Sequence, residues 1–180
     1  RRSSDLAIRS LITSPTPSML GGTPLCDLPA NSLAKEMRFL LSLGDDQSNA
    51  RLVAVARAIV QHDTSGADGR SQFHHYFTTL AERAGGLDEG FLIGSLDLVH
   101  RREDGRFVIV DYKTDQLRGD VRPFRPEAMY ESMQEEHYPL QAVLYGVALH
   151  RHLRATMPDY EPARHLGGVG YYYVRVAGDP

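Results

Sequence analysis

The sequence predicts an α/β protein, in which helices flank a central β-sheet. Three observations support this class. Residues 91–102 and 106–113 are apolar runs typical of strands, and a Glu-Asp-Gly turn joins them. The second run contains four consecutive apolar residues at 107–110, as expected when both faces of a strand are covered. Segments with helical spacing precede and follow this pair. We therefore predict that 106–113 is an interior strand.

The remaining elements are predicted from periodicity and from turn residues. Helices are expected at residues 6–12, 72–84, 127–136 and 139–154, and strands at 36–43 and 168–176. Pro139 suits the first turn of a helix, where its missing N–H would have had no partner. Residues 52–60 are apolar and rich in alanine, so we expect them to contribute to packing. The last strand contains three consecutive tyrosines at 171–173, which we expect to serve mainly sheet packing.

Length and composition bound the organisation of the chain. With 180 residues, of which 42% are hydrophobic and 24% charged, it can form one hydrophobic core, and we expect a single domain over 1–180. Within it, residues 1–30 are predicted to be a peripheral helix and loop. No apolar run approaches the roughly 20 residues of a membrane span, and no signal peptide is visible. The chain starts at Arg1 rather than at Met, so we expect it to be a piece of a longer protein.

The single cysteine and the net charge restrict compartment and partners. Cys26 cannot form an intramolecular disulfide, which favours a reducing compartment, and we therefore predict a cytoplasmic location. A formal net charge of -3 gives no general attraction to polyanions. Contact with nucleic acid would need a local basic patch, for which the seven basic residues between 101 and 125 are a candidate. Acidic residues alternate with them, so a solvated surface explains them equally well.

Two acidic residues and a lysine stand inside the apolar strands. Burying a carboxylate is costly unless it is paired, hydrogen-bonded or bound to a metal. Asp111 and Lys113 are two residues apart, so their side chains project from one face of the strand. Asp97 joins them in one hairpin register only. A two-residue Asp-Gly turn would place it opposite Tyr112, and a three-residue Glu-Asp-Gly loop would place it opposite Asp111.

In the second register two carboxylates would crowd each other unless a cation lay between them. Mg²⁺ suits such a site, because it prefers oxygen ligands and usually takes one or two carboxylates together with phosphate oxygens. Lys113 is a compact charge that can stabilise the transition state of phosphodiester hydrolysis. The alternative interpretation is a structural ion pair between Asp111 and Lys113 near a strand end.

These residues resemble a known family. Gly-x-x-Asp at 94–97, Val-Asp-Tyr-Lys-Thr at 110–114 and Gln-x-x-x-Tyr at 141–145 occur in the order found in the RecB family of PD-(D/E)XK nucleases. The resemblance covers residues 90–175, and Glu-Met-Arg-Phe at 36–39 matches an earlier strand less specifically. It implies a restriction-endonuclease-like core at 90–176, with a mixed sheet flanked by helices.

The resemblance also implies a role for each residue of the site. Asp97 and Asp111 would be metal ligands, with the Tyr112 carbonyl as a further ligand, and Asp111 and Lys113 would be the catalytic pair. The residues that would support the site or contact DNA are Gln141, Tyr145 and Glu36. Gln141 and Tyr145 are four apart and share a helix face, so ordinary packing explains these two equally well.

An activity and partners are implied in the same way. The family member would be a Mg²⁺-dependent DNA exonuclease of the exodeoxyribonuclease V type, within a helicase–nuclease assembly for double-strand break repair and recombination. RecC-like and RecD-like subunits would be its partners, and a RecA-type recombinase would be a further candidate. ATP would serve a helicase domain outside this chain.

Two alternatives to this function stay open. One is a non-catalytic nuclease-like module that guides DNA or docks subunits, and the other is a structural domain with a buried ion pair.

One feature of the family is missing from the sequence. The family has a histidine ligand on an upstream helix, within a Gly-x-x-His-x-x-Leu-like motif, and no histidine precedes Glu36 here. We expect this ligand to lie N-terminal of Arg1. We therefore also expect this chain by itself to be a poor nuclease.

Overall fold

The computed structural model describes residues 2–43, 52–64, 71–82, 90–114 and 126–174. The helices are α1 (Arg2–Thr13), α2 (Leu52–His62), α3 (His74–Glu82), α4 (Pro126–Glu135), α5 (Tyr138–Thr156) and α6 (Pro162–His165). The strands are β1 (Leu33–Leu43), β2 (Gly90–Arg101), β3 (Phe107–Lys113) and β4 (Leu166–Tyr173). Three short 3-10 turns lead from α1 to β1.

Each predicted helix and strand is present, with some ends shifted. α1 begins at Arg2, before the predicted start at residue 6, and the alanine-rich segment forms α2. β4 begins at Leu166, two residues before the predicted start at 168. The predicted end of that strand at residue 176 lies outside the described residues.

The sheet is mixed, and β3 is an interior strand as predicted. The strand order is β1-β2-β3-β4, β2 and β3 are antiparallel, and β3 and β4 are parallel. Val108, Ile109 and Val110 are at most 1% exposed, so both faces of β3 are covered. The α/β class and the mixed sheet flanked by helices are therefore confirmed.

Each face of the sheet has its own hydrophobic cluster. One cluster, on what we call the α5 face, consists of Leu96, Val99, Ile109, Tyr145, Leu149 and Leu153. The other, on what we call the N-terminal face, consists of Leu20, Leu98, Val108 and Val110. Successive residues of β3 thus alternate between α5 on one side and the N-terminal segment on the other.

β1 and β2 both depart from strict alternation. Leu33 packs on the N-terminal face but Met37 packs on the α5 face, although an even spacing should place both on one face. Between them, Glu36 has a φ of 50°, a left-handed conformation that is uncommon for residues other than glycine. In β2, Leu96 and Val99 share the α5 face despite their odd spacing. Both strands thus contain a bulge-like irregularity, of the kind that redirects side chains.

β4 reaches its register through one irregularity at Gly167. The β3–β4 pairing shifts by one residue at this point. A Cβ at position 167 would lie 2.7 Å from Val108 Cγ2, so the close approach of the two strands requires glycine. Further along the strand, the shift places Tyr171 opposite Asp111.

The chain divides into two compact units. One consists of Arg1–Phe39 and Ser95–Pro180, and the other is Leu40–Gly94. In the second unit α2 packs against α3, and the Asp63 carboxylate accepts hydrogen bonds from the backbone N–H and the hydroxyl of Ser71. A single domain over 1–180 stays a prediction. Within the described ranges, no helix has the length and apolar character needed to cross a bilayer.

Candidate active site

Asp111 and Lys113 form a buried ion pair on the α5 face of β3. Their side chains are 6% and 11% exposed, and Asp111 Oδ2 lies 2.6 Å from Lys113 Nζ. Both project from the same face because they are two residues apart on a strand. A carboxylate and an ammonium that are removed from water in this way depend on each other, since loss of either would leave an uncompensated buried charge.

Two side chains of α5 close this pair into a ring of hydrogen bonds. Tyr145 OH donates to Asp111 Oδ1, Gln141 Nε2 donates to Tyr145 OH, and Lys113 Nζ donates to Gln141 Oε1, each at 3.0 Å. Gln141 and Tyr145 are four residues apart, so they are neighbours on one face of the helix. We call Asp111, Lys113, Gln141 and Tyr145 the polar ring.

The hydrogen bonds of the polar ring have one consistent direction. An ammonium can only donate and an ionised carboxylate can only accept. Gln141 must therefore present its carbonyl oxygen to Lys113 and its amide nitrogen to Tyr145, whose proton then points at Asp111. A buried hydrogen-bond network of this kind rigidifies its members. Tyr145 also packs edge to face on Phe39, with ring centroids 5.9 Å apart, so the same residue makes a packing contact and a hydrogen bond to Asp111.

The β2–β3 loop decides the register of the hairpin. The Arg102 N–H donates to the Arg106 carbonyl at 2.8 Å, so the loop consists of the three residues between them. Its last residue, Gly105, has a φ of 83°, as is usual for glycine at the end of a three-residue hairpin loop. The three-residue alternative is therefore the one that the structure contains, and the two-residue turn is excluded.

The pairing of β2 with β3 runs from the hairpin loop to the pair Leu98–Val110 and ends there. Asp97 and Asp111 are the residues next to this last pair. At this point the Tyr112 N–H donates to Asp97 Oδ2 at 3.0 Å. Because the N–H and C=O of one strand residue point to the same side, the Tyr112 carbonyl also faces β2. The three groups predicted to bind metal thus belong to one short stretch of the β2–β3 pair.

Both carboxylates act on the hydroxyl of Tyr145. Burial raises the pKa of this phenol far above its usual value, and the negative charges of Asp111 and Asp97 raise it further. Tyr145 therefore stays protonated at neutral pH and keeps its role as a hydrogen-bond donor. Burial also raises the pKa of Tyr112, with the charge of Asp97 as the next cause.

Glu36 lies apart from the polar ring, at the irregularity in β1. It is exposed, and one of its carboxylate oxygens accepts a hydrogen bond from Ser95 Oγ at 3.2 Å. With Lys35, Asp97 and Tyr112 it lines a cavity of about 410 Å³, whose other walls are mainly apolar. A supporting or DNA-contacting role for Glu36 stays a prediction, and this cavity places the residue on the Asp97 side of the site.

Two tyrosines that the sequence did not single out lie over Lys113. Its Nζ is 3.8 Å from the ring centroid of Tyr138 and 5.1 Å from that of Tyr171. The two rings stack with centroids 5.0 Å apart and 20° between their planes. The sequence predicts sheet packing for Tyr171. The parallel pairing of β4 with β3 brings it to the site, and this pairing of distant segments has no local signal in the sequence.

The oxygen atoms of the site fit a divalent cation. Asp111 Oδ2 is buried and accepts no hydrogen bond. Its contact with Lys113 is an ion pair that lacks hydrogen-bond geometry, so this oxygen still has a lone pair for a further partner. Asp97 and the Tyr112 carbonyl are the other two predicted ligands. In the part of the chain that the structure describes, no group of three or more His, Cys, Asp or Glu side chains comes together. Two carboxylates and a carbonyl are within the usual protein contribution to a Mg²⁺ site.

The predicted basic patch is described only in part, since its three arginines beyond residue 114 lie outside the described residues. Arg102 forms an ion pair of 3.0 Å with Asp104, and Arg106 donates to the Leu166 carbonyl at 3.1 Å. These contacts tie the hairpin to its own neighbours. They favour the interpretation of this stretch as a solvated structural surface.

The fold and the polar ring define a class of protein. The chain belongs to the PD-(D/E)XK nuclease superfamily, whose profile matches residues 29–180. The sequence Asp-Tyr-Lys at 111–113 has the residue types and spacing of the D-x-K part of the name. Nucleases of this superfamily generally use divalent metal ions.

Similar proteins indicate a narrower family within this superfamily, because they are RecB subunits of the RecBCD enzyme. The subunit of Haemophilus influenzae is 32% identical over 161 residues, which cover 88% of this chain and 12% of the relative. The subunit of Mycobacterium tuberculosis (strain CDC 1551 / Oshkosh) is 50% identical over 86 residues, which cover 48% and 8%. That of Escherichia coli K12 is 44% identical over 86 residues, which cover 48% and 7%. The resemblance to the RecB family is thus confirmed, and the chain spans only a small part of these relatives.

Proposed function

We propose that this chain is the Mg²⁺-dependent nuclease domain of a RecBCD-like helicase–nuclease, and that it hydrolyses DNA as an exonuclease in double-strand break repair and recombination. The observation that carries the proposal is the buried polar ring, in which Gln141 and Tyr145 hold the Asp111–Lys113 ion pair. Membership in a nuclease superfamily and similarity to RecB subunits support it.

Asp97, Asp111 and the Tyr112 carbonyl are the proposed ligands of the ion. The ion, when bound, supplies positive charge that polarises the scissile phosphate. Two carboxylates leave room for phosphate oxygens and water, as Mg²⁺ sites require. Asp97 keeps its position through the hydrogen bond from the Tyr112 N–H, and Asp111 keeps its own through Tyr145.

Lys113 contributes a fixed positive charge to the same reaction. In hydrolysis a water oxygen bonds to phosphorus while the bond from phosphorus to the leaving oxygen breaks, and negative charge grows on the phosphate oxygens. An ammonium that is already oriented stabilises this charge without reorganisation at the moment of reaction. Gln141 and Tyr145 do not need to touch the substrate for this, since they hold Lys113 and Asp111 in place.

The assembly is proposed from the RecB relatives. DNA is the proposed substrate, RecC-like and RecD-like subunits are the proposed partners, and a RecA-type recombinase is a further one. ATP would be used by a helicase domain in the full-length protein. We also propose a cytoplasmic location, because Cys26 is free and exposed.

A second candidate is a non-catalytic module with a nuclease-like fold, which guides DNA or docks subunits. One observation favours it. Within the described ranges no third His, Cys, Asp or Glu side chain joins Asp97 and Asp111. A site that lacks the histidine ligand of the family binds metal more weakly than a complete one, so metal binding and cleavage have to be measured separately.

The test is Asp111→Ala in the full-length protein that carries this chain. We expect Mg²⁺-dependent cleavage of linear DNA to disappear, with the circular dichroism spectrum unchanged, and EDTA should abolish cleavage by the wild-type protein. Glu103→Ala is the matched control, because Glu103 is an exposed acid of the hairpin loop, and it should cleave as the wild type does.

The outcomes separate the two candidates. Cleavage by Asp111→Ala would overturn the catalytic assignment. If the wild-type protein binds DNA without cleaving it at any Mg²⁺ concentration, the non-catalytic module is the better description. Calorimetric titration with Mg²⁺ adds a readout that is independent of cleavage, and Asp97→Ala should weaken this binding.

A further inference from the structure

We propose that Tyr138 and Tyr171 are positioning residues for Lys113, whose ammonium their rings hold against Asp111 by cation–π attraction. The distances from the ammonium to the two rings support this contact independently of any function. Its purpose, the correct placement of a charge for phosphodiester hydrolysis, rests on the proposed function.

The ammonium of Lys113 has three donors, and three partners surround it. Asp111 Oδ2 at 2.6 Å and Gln141 Oε1 at 3.0 Å are two of them. The face of the Tyr138 ring, at 3.8 Å from Nζ to the centroid, is the third. A ring face carries negative charge and attracts a cation within about 6 Å of its centroid, more strongly when water is excluded.

The ring faces matter because the ammonium is largely removed from water. The Lys113 side chain is 11% exposed, so water cannot replace the partners that the ammonium loses on burial. Asp111 and Gln141 provide two partners, and the ring faces provide further attraction. Without the rings, part of the cost of burying this charge would be uncompensated.

The two rings are themselves firmly held. Tyr138 is buried and stacks on Tyr171, and the Tyr171 hydroxyl donates to the Tyr138 carbonyl at 2.6 Å. Tyr171 is fixed in turn by its pairing opposite Asp111 in the sheet. Lys113 comes from β3, Tyr138 from α5 and Tyr171 from β4, so three elements determine where the ammonium lies.

A spectroscopic test follows from the lysine content of the chain. The sequence contains two lysines, and Lys35 is exposed. In the chain labelled with ¹³C-lysine, ring currents should shift the ε-methylene protons of Lys113 upfield of those of Lys35, and Lys35→Arg assigns the two signals. Tyr138→Phe should keep most of the shift, and Tyr138→Leu should move the signal towards that of Lys35. A wild-type Lys113 signal at the Lys35 position would overturn the contact.

The catalytic consequence is tested in the full-length protein. Tyr138→Leu should lower kcat for DNA cleavage by about tenfold, the effect of losing one desolvated cation–π contact in the transition state, with KM unchanged. Tyr138→Phe should restore kcat, because the ring face and not the hydroxyl contacts the ammonium. Tyr160→Leu is the control for loss of a half-buried tyrosine, since Tyr160 packs on the histidines His150 and His165, and it should cleave as the wild type does.

The outcomes distinguish this inference from the proposed function. If the wild type cleaves, Asp111→Ala does not, and Tyr138→Leu cleaves normally, the inference fails and the nuclease assignment stands. If Tyr138→Phe fails to restore kcat, the hydroxyl rather than the ring face is responsible and the inference also fails. If the wild type does not cleave, the proposed function fails, and the lysine spectrum still decides whether the rings hold Lys113.

Discussion

Asp111 is the residue on which the rest of the site depends. Its side chain is buried, one oxygen accepts a hydrogen bond from the Tyr145 hydroxyl, and the other faces Lys113. A carboxylate that has lost its water needs such partners, because an unsatisfied buried charge is far more costly than an unsatisfied exposed one. Each of these partners should therefore stabilise the fold as well as fix the position of the Asp111 carboxylate.

The first prediction concerns the hydroxyl of Tyr145. Tyr145→Phe removes the donor to Asp111 Oδ1 and the acceptor of Gln141 Nε2, while the ring can still pack on Phe39. We expect the free energy of unfolding to fall by about 1–3 kcal/mol, the cost of leaving a buried partner unsatisfied. Urea unfolding followed by circular dichroism measures this.

Tyr160→Phe provides the comparison for that prediction. Its hydroxyl lies 2.9 Å from His150 Nδ1 in a partly exposed position with no carboxylate. Water can replace this contact, so the loss of stability should be smaller than for Tyr145→Phe. Equal losses would show that the polar ring gives Asp111 no special support.

The sequence could indicate some residues of the site and not others, for a physical reason. Asp97, Asp111 and Lys113 are conspicuous because charged residues are unusual inside apolar strands. Tyr138 and Tyr171 are not conspicuous, since tyrosine is common in strands and at partly buried positions. Their proximity to Lys113 depends on the docking of α5 and on the pairing of β4, which are contacts between distant segments.

Among the elements, the sequence leaves one point open, which is whether the β2–β3 loop has two residues or three. An Asp-Gly pair suits a two-residue turn, and Glu-Asp-Gly suits a three-residue loop. The loop is also stabilised locally, because Asp104 Oδ1 accepts a hydrogen bond from the Arg106 N–H at 3.1 Å. Register decides on which face each paired side chain lies, and this loop brings Leu98 opposite Val110, one residue from Asp97 and from Asp111.

The second prediction compares two glycines in neighbouring elements. A Cβ at Gly167 in β4 would lie 2.7 Å from Val108 Cγ2, whereas a Cβ at Gly146 in α5 would meet nothing within 4 Å. Gly167→Ala should therefore lower the free energy of unfolding by about 1–3 kcal/mol through overpacking. Gly146→Ala should raise it by about 0.5–1 kcal/mol, because alanine suits a helix interior better than glycine.

Both changes are measured by urea unfolding. Gly167→Ala should also move the Lys113 signal in the ¹³C-lysine spectrum, because the register at Gly167 places Tyr171. A neutral effect of Gly167→Ala on stability would contradict the close approach of β3 and β4. Destabilisation by Gly146→Ala would contradict the open space beside α5.

At the scale of the whole molecule, buried tyrosines should make the fold sensitive to alkali. Burial is the main cause that raises the pKa of Tyr145 and of Tyr171, and the charge of Asp111 raises both further. In the unfolded chain these phenols titrate near their usual pKa of about 10. Above that pH the unfolded state loses protons that the folded state keeps, so alkali favours unfolding.

The third prediction follows from this sign. The stabilising contribution of the two phenols is fully present below about pH 10 and is lost as the pH rises through their raised folded-state pKa values. The free energy of unfolding, measured in urea over this range, should therefore fall with pH. Tyr171→Phe should make the decline less steep, and an equally steep decline would show that Tyr171 does not contribute.

The last prediction concerns the metal affinity of the chain as a whole. Among the described residues, the site offers two carboxylates and a carbonyl, without a third His, Cys, Asp or Glu side chain. Fewer protein ligands mean weaker binding of Mg²⁺, so we expect the 180-residue chain to cleave DNA more slowly than the full-length protein at low Mg²⁺. The difference should narrow as Mg²⁺ increases, because mass action fills a weak site.

Initial rates at a series of Mg²⁺ concentrations measure that difference, with Asp111→Ala in both proteins as the background. If the two proteins need the same Mg²⁺ concentration, the ligands in this chain suffice, and the full-length protein adds none. If the short chain stays inactive at saturating Mg²⁺, a group outside it acts in the chemistry and not only in metal binding. The Mg²⁺ dependence thus separates a weak metal site from an incomplete catalytic one.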